Sequence, residues 1–304
     1  MVRSEPDVCV ITEVCGAEAD PGRSPSLLIE IPHGATRVAH FEALRGRLQG
    51  ALPADLVDFF CVNTDAGAPE LARALCRRLV TAEPQRSALI VESRIPRTFI
   101  DCNRVIAPGL DSPLDYRAGG VSAGVQPYID DPADLALLSD LHRAYQNAVS
   151  AAVQEVASAG GALLLLHTYA PISVDVSVSP QIAQDMRWAW SDAVRPRWPL
   201  RPELEIIGRT VEGEDWSPPA AVAALRAAAA QAGFEVGEGL TYPLHPVTTG
   251  YHHMSRFPGR ALCLEVRRDL LADPFEPFSE MTVDAARIER VIGPLLHATL
   301  ALLS

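Results

Sequence analysis

Leu163-Leu164-Leu165-Leu166-His167-Thr168-Tyr169-Ala170-Pro171 is the stretch on which the reading of this chain turns. Four consecutive leucines leave no polar face, so they describe a strand covered on both sides of a sheet. The run ends abruptly in a histidine. In open α/β sheets, ligands gather beyond the carboxyl ends of the strands, so an imidazole there stands where chemistry is done. Two other stretches share this grammar. Leu27-Leu28-Ile29-Glu30-Ile31 runs into Pro32-His33-Gly34, and Leu262-Cys263-Leu264-Glu265-Val266 carries an acid inside an apolar strand. Two strand-end histidines and a strand-buried glutamate point to a metal-assisted site.

Outward from these runs, strands and helices alternate. Val8 to Glu13 reads as a short edge strand, and Val38 to Leu48 has helical spacing. Leu56 to Val62 reads as a strand ending at Asn63-Thr64-Asp65. Pro69 and Glu70 then open a helix to about Val80, with proline in the first turn and the acid at the positive end of the dipole. Ala88 to Val91 is a buried strand. Ala133 to Ala159 is a long amphipathic helix stopped by Gly160-Gly161. Val174 to Ser179 alternates like a strand, and Ile182 to Ala193 reads as helix. Leu204 to Gly208 and Phe234 to Val236 read as short strands around an Ala-rich helix from Pro218 to Ala232. Val283 to Leu303 closes the chain as a helix. This alternation defines an α/β fold with a mixed, largely parallel sheet. No linker divides the chain, so residues 1–304 are expected to form a single domain. Residues 107–132 and 240–259 are irregular and rich in turn formers, and long irregular segments of this kind are often functional. They are expected to act as pocket walls.

The bulk composition narrows the function. A formal charge of −12 disfavours non-specific contact with nucleic acid or an anionic membrane. A local arginine cluster still allows a small anionic substrate. The six cysteines form no CxxC pair, and most lie in apolar patterns. That suits a reduced, cytoplasmic protein rather than a disulfide framework. No apolar run approaches the ~18 residues that a transmembrane helix needs. Gly-x-Ser-x-Gly, P-loop, Gly-x-Gly-x-x-Gly and His-Glu-x-x-His signatures are all absent.

Each candidate residue carries a plainer alternative. His33 between Pro32 and Gly34 is a metal ligand or a turn histidine. His167 is a ligand, kept neutral by burial, or a core histidine. Asp65 is a third ligand or a helix-capping Asx residue, with Glu70 the competing carboxylate. Arg94, Asn103 and Arg104 sit close together, and guanidinium forks read carboxylates; surface ion pairing is the other reading. Glu265, inside an apolar strand, must be paired or have a raised pKa. A raised pKa suits a general base. Tyr251, His253 and Arg256 are candidates for the pocket lining.

In order along the chain, Pro32-His33-Gly34, Asn63-Thr64-Asp65, Ser93-Arg94 with Asp101-Cys102-Asn103-Arg104, His167-Thr168, and Gly250-Tyr251 with Leu264-Glu265 resemble the N-formylglutamate amidohydrolase family. The Asp-x-Asn-Arg element is similar to that of aspartoacylases and zinc carboxypeptidase-like enzymes. The resemblance spans about residues 25–300. It implies a phosphorylase/hydrolase-like, three-layer α/β/α fold and one zinc ion. It implies hydrolysis of a formyl or other N-acyl amide on a carboxylate-bearing, amino-acid-like or peptide substrate. Carried over, His33, Asp65 and His167 are zinc ligands and Glu265 is the base. Arg104 polarises the carbonyl, while Arg94, Asn103 and Arg104 hold the substrate carboxylate. Two motifs depart, Pro-His-Gly standing for the family's Pro-His-Ser-Gly and His-Thr for its His-Ser, and the unmatched segments 107–132 and 240–259 are expected to be the specificity loops. A metal-dependent peptidase or esterase acting on a modified peptide or natural-product intermediate, and a non-catalytic binder of acidic ligands, are the competing readings.

Overall fold

The computed structural model describes residues 3–105, 124–272 and 274–304. Most of the expected 107–132 wall therefore lies outside the described residues. Seven strands form one sheet: β1 (Cys9–Cys15), β2 (Leu27–Ile31), β3 (Ser87–Ser93), β4 (Ala162–Tyr169), β5 (Leu204–Ile206), β6 (Val236–Glu238) and β7 (Ala261–Arg267). Their spatial order is β1-β3-β2-β4-β7-β5-β6. β3, β2, β4 and β7 run parallel, while β1 joins β3 and β5 joins β7 antiparallel. The sheet is thus mixed and largely parallel.

The leucine run sits in the central strand β4, where every residue is buried. Side chains alternate across a strand, and the two faces meet different helices. Leu164 and Leu166 pack in a core with α3 (Ala68–Ala82), α6 (Pro219–Ala232) and α8 (Ala285–Leu302). Leu163 and Leu165 face the other core, which contains residues of α1 (Val38–Arg45), α2 (Leu56–Asn63), α4 (Pro132–Ser158), α5 (Ile182–Ala189) and α7 (Thr249–Arg256). The result is a three-layer α/β/α arrangement. Leu165 is fully buried between β2 and β7, level with Glu30 and Cys263. Leu165→Ala is expected to cost about 2–5 kcal/mol by leaving a cavity; the shift of a urea unfolding curve measures it.

Three expectations need correction. Leu56–Asn63 is helix α2, not a strand. Its buried residues Leu56, Phe59 and Phe60 follow helical spacing, and the segment packs on α1 and α5 rather than in the sheet. A short apolar run satisfies both periods, and here packing on neighbouring helices decides. Residues 174–179 alternate as expected but join no ladder. The 240–259 stretch contains helix α7, whose start is capped by the Thr248 hydroxyl accepting from the Tyr251 amide.

Candidate active site

His33 sits on the tight turn that follows β2. The Gly34 amide donates to the Ile31 carbonyl at 3.2 Å. A Cβ on Gly34 would stand 2.5 Å from Glu92 Cγ, so this close passage requires glycine. Asp65 lies in the short link between α2 and α3, after a helix rather than after the expected strand. His167 is inside β4, which continues to Tyr169, so it is a strand residue and not the strand's last. Two threonines lock these segments together. Thr64 Oγ1 donates to the Ala35 carbonyl at 3.0 Å, and Thr168 Oγ1 donates to the Ala66 carbonyl at 2.9 Å.

The three side chains converge in the interior, each 3% exposed. His33 Nδ1 lies 3.1 Å and His167 Nδ1 2.9 Å from the same oxygen, Asp65 Oδ2. Ligand atoms of all three lie within 4.8 Å of one another, a group able to hold a metal ion. Glu70 is not in this group; it pairs with Arg37 at 2.7 Å. The opposite ring nitrogen of His33, Nε2, lies 2.7 Å from Asp101 Oδ1. A carboxylate on the far nitrogen fixes the ring and its tautomer, the usual arrangement behind a metal-binding imidazole. Two imidazoles and one carboxylate suit a borderline first-row dication such as zinc. The donor set therefore fits the expected metal.

Charges in this cluster are tightly balanced. Burial and Arg97 oppose protonation of His33, but Asp65 and Asp101 outweigh them and its pKa is raised. Burial would raise the Asp65 pKa, yet the two histidines hold it well below the usual carboxylate range. Asp101 is held low in the same way, against burial, by Arg104, Arg97 and His33. Without a metal, the two buried carboxylates favour a proton on His33.

Glu265 is placed by sheet register. His167 is level with it across the parallel β4–β7 pair, so the two side chains share a face. Glu205 of β5 is level with it on the other side. Glu265 Oε2 is buried without a hydrogen-bond partner among the described residues, and the side chain lines the cavity described below. Burial is the main cause that pushes its pKa up to about 7, with His167 pulling down and Asp65 pushing up. Glu265 as a residue is half-buried, but a buried carboxylate oxygen left without a partner is costly, and such groups are concentrated at functional sites.

The segment leaving β3 supplies the cationic and amide wall. Arg97 Nε donates to Asp101 Oδ2 at 3.1 Å, and its terminal nitrogens have no partner among the described residues. Asn103 Oδ1 accepts from the Thr249 hydroxyl at 2.8 Å and the Thr249 amide at 3.2 Å, which leaves the Asn103 NH2 to serve the cavity. Helix α4 anchors the segment: His142 Nε2 donates to the Arg104 carbonyl and Gln146 Nε2 to the Cys102 carbonyl. Arg104 is buried and reaches Asp101 at 3.4 Å.

The structure thus brings together His33, Asp65, His167, Glu265, Asn103 and Arg104 around one cavity. Four expected residues stand outside it. Arg94 keeps its amide bonded to the Val8 carbonyl at the sheet edge and sends its guanidinium to His40 and Glu92. Tyr251, His253 and Arg256 are dispersed because they lie on helix α7. Tyr251 packs on Trp216, His253 turns inward to Glu30 at 2.8 Å, and Arg256 lies over Phe257. Sequence reading gave Asp101 no role, although it lies in the Asp-x-Asn-Arg element, and missed Arg97 between that element and Arg94. It also missed Arg201 and Arg268. Arg201 stands over the rings of Tyr169 and Tyr242, and Arg268 donates to the carbonyls of Cys61 and Val62. No local signal marked either.

The cavity has a volume of about 510 Å³. Polar side chains around the His33–Asp65–His167 group give way to an apolar wall from α2, α5 and the link between β4 and α5. A largely parallel sheet with a metal-competent donor set beside β2 and β4, a carboxylate with a buried, partnerless oxygen next to it and arginines in the same cavity defines a hydrolase-type site. The model of the N-formylglutamate amidohydrolase family matches residues 25–272, and the chain belongs to that family. The family hydrolyses an amide C–N bond, so this chain is a hydrolase of a small amide substrate. No curated protein sequence matches. Among solved structures, gene product Atu2144 from Agrobacterium tumefaciens is similar, with 18% identity and a TM-score of 0.55. That match covers 99% of this chain and 98% of the other, and it supports the fold. Among the described residues, no helix is long and apolar enough to cross a membrane.

Proposed function

We propose that the chain is a zinc-dependent amidohydrolase that cleaves an N-acyl bond of a carboxylate-bearing, amino-acid-like substrate. The observation that carries this reading is Glu265 Oε2, buried and partnerless beside His33, Asp65 and His167. These three residues would hold the zinc ion. When bound, the ion acts as a Lewis acid that acidifies water and polarises the amide carbonyl. Glu265 accepts the proton of the attacking water and returns it to the leaving nitrogen; a pKa near 7 suits both duties. Arg104 supports the charge that develops on the carbonyl oxygen. Arg97 and the Asn103 NH2 receive the substrate carboxylate, with Arg97 taking the place first expected of Arg94. Asp101 keeps His33 in its working tautomer.

All six cysteines are free and five are buried, which accords with a cytoplasmic protein. Assaying the zinc-supplied protein against formyl-amino acids, longer acyl-amino acids and short peptides tests the reading. Turnover of amino-acid amides supports it; turnover of peptides or esters alone replaces it with a peptidase or esterase. Asp101→Asn is expected to weaken zinc binding about 10–100-fold, measured by competition with a chromophoric chelator. Unchanged affinity would remove Asp101 from the metal's support.

A further inference from the structure

The apolar wall of the cavity is larger than a one-carbon acyl group requires, and it is built in advance. Val174, Val176 and Val178 line the cavity while half-buried, in an alternation that joins no strand among the described residues. Phe59 of α2 and Met186 of α5 line the same space, with Trp190 just past the end of α5. Of these side chains only the Trp190 indole carries a polar atom, and Asp175, between Val174 and Val176, also lines the cavity.

The wall is held by bonds at its back. Arg187 of α5 ion-pairs with Asp55 at 2.9 Å and with Asp58 at 2.5 Å, fastening α5 to the start of α2. The valine segment is tied down by Arg201, whose Nε donates to Ser173 Oγ at 3.0 Å and whose Nη1 donates to the Ala170 carbonyl. The Ser173 amide donates in turn to the Pro199 carbonyl at 3.0 Å. Pre-formed apolar surface left open inside a cavity is characteristic of a ligand site.

The lining tells which part of a substrate meets this wall. Arg97 and Asn103 follow β3, and Asn103 is tied to Thr249 at the start of α7. The valines and α5 follow β4. A substrate with its carboxylate on Arg97 and Asn103 and its amide at the His33–Asp65–His167 group turns its acyl group to the valine wall. We infer, on the amidohydrolase reading above, that the acyl group is bulky and apolar: the substrate class is medium-chain or aryl N-acyl amino acids rather than N-formyl ones.

Binding to Glu265→Gln, supplied with zinc, tests this without turnover. Isothermal titration calorimetry compares N-formyl-, N-butanoyl-, N-hexanoyl- and N-octanoyl-glutamate. Affinity is expected to rise about fourfold per added methylene until the wall is covered. Val176→Asp, a half-buried position, is expected to cut octanoyl-glutamate affinity at least tenfold with an unchanged melting temperature. An affinity that is flat with chain length, tightest for the formyl compound or undetectable throughout overturns the inference. Failure of the amidohydrolase reading shows separately, as chain-length-dependent binding with no hydrolysis by the unaltered protein.

Discussion

Glu265→Gln is expected to lower amide hydrolysis by a factor of about 10²–10⁴ while making the metal-free protein more stable at neutral to alkaline pH. The two effects have one cause. Glu265 is half-buried, its Oε2 is buried without a partner among the described residues, and its pKa rises from an ordinary 4.5 to about 7. Between those values the folded protein holds a proton that the unfolded chain has released. Linkage then makes stability fall as pH rises. The contribution is fully present below about 4.5 and lost as pH passes through about 7. Glutamine never ionises, so the variant escapes that loss, by as much as about 3 kcal/mol at pH 8. Thermal melts of both proteins in chelator at pH 4.5 and pH 8 measure it: similar at the first, the variant higher at the second. Zinc opposes the effect in the parent protein, because a nearby cation favours the carboxylate. Full hydrolysis by the variant would remove Glu265 from the proton-transfer role.

His167→Ala is the second large effect. The protein is expected to lose its zinc and, with it, detectable hydrolysis. His33, Asp65 and His167 share one small buried space, with both imidazoles on the same Asp65 oxygen. Removing one ring leaves two ligands, too few for a site that needs three protein donors. The affinity loss should exceed the roughly 10–100-fold of an outer partner such as Asp101. Zinc per chain, by elemental analysis after dialysis, reads it. In the parent protein the raised pKa of His33 has a further consequence. Zinc uptake must displace imidazole protons, so it releases protons into a weak buffer and its affinity falls as pH falls. An activity unaffected by His167→Ala, or by exhaustive chelation, contradicts the assignment.

What could be read from the chain depended on whether the information was local. The leucine run, the Pro-His-Gly turn and the apolar strand around Glu265 are local, and they predict buried strands whose polar residues meet at one end of a sheet. The sheet's parallel core and its helical layers follow from the alternation of elements. Leu56–Asn63 was ambiguous for a physical reason: its apolar residues satisfy both strand and helix periods, and only packing on α1 and α5 decides between them. The arginines proposed to bind the substrate carboxylate depended on side-chain direction. Arg94 and Arg97 stand three residues apart, yet one faces His40 and the other faces Asp101. Tyr251, His253 and Arg256 were placed in the pocket by proximity in sequence, and α7 turns them to different surroundings. Arg201 and Arg268 reach the cavity through tertiary structure alone.

The most direct test is anomalous diffraction from crystals of the protein grown with zinc. One peak is expected among His33, Asp65 and His167, with ligand distances of about 2.0–2.2 Å, and none at Glu70. Active, zinc-loaded protein whose only metal peak lies elsewhere would contradict the account.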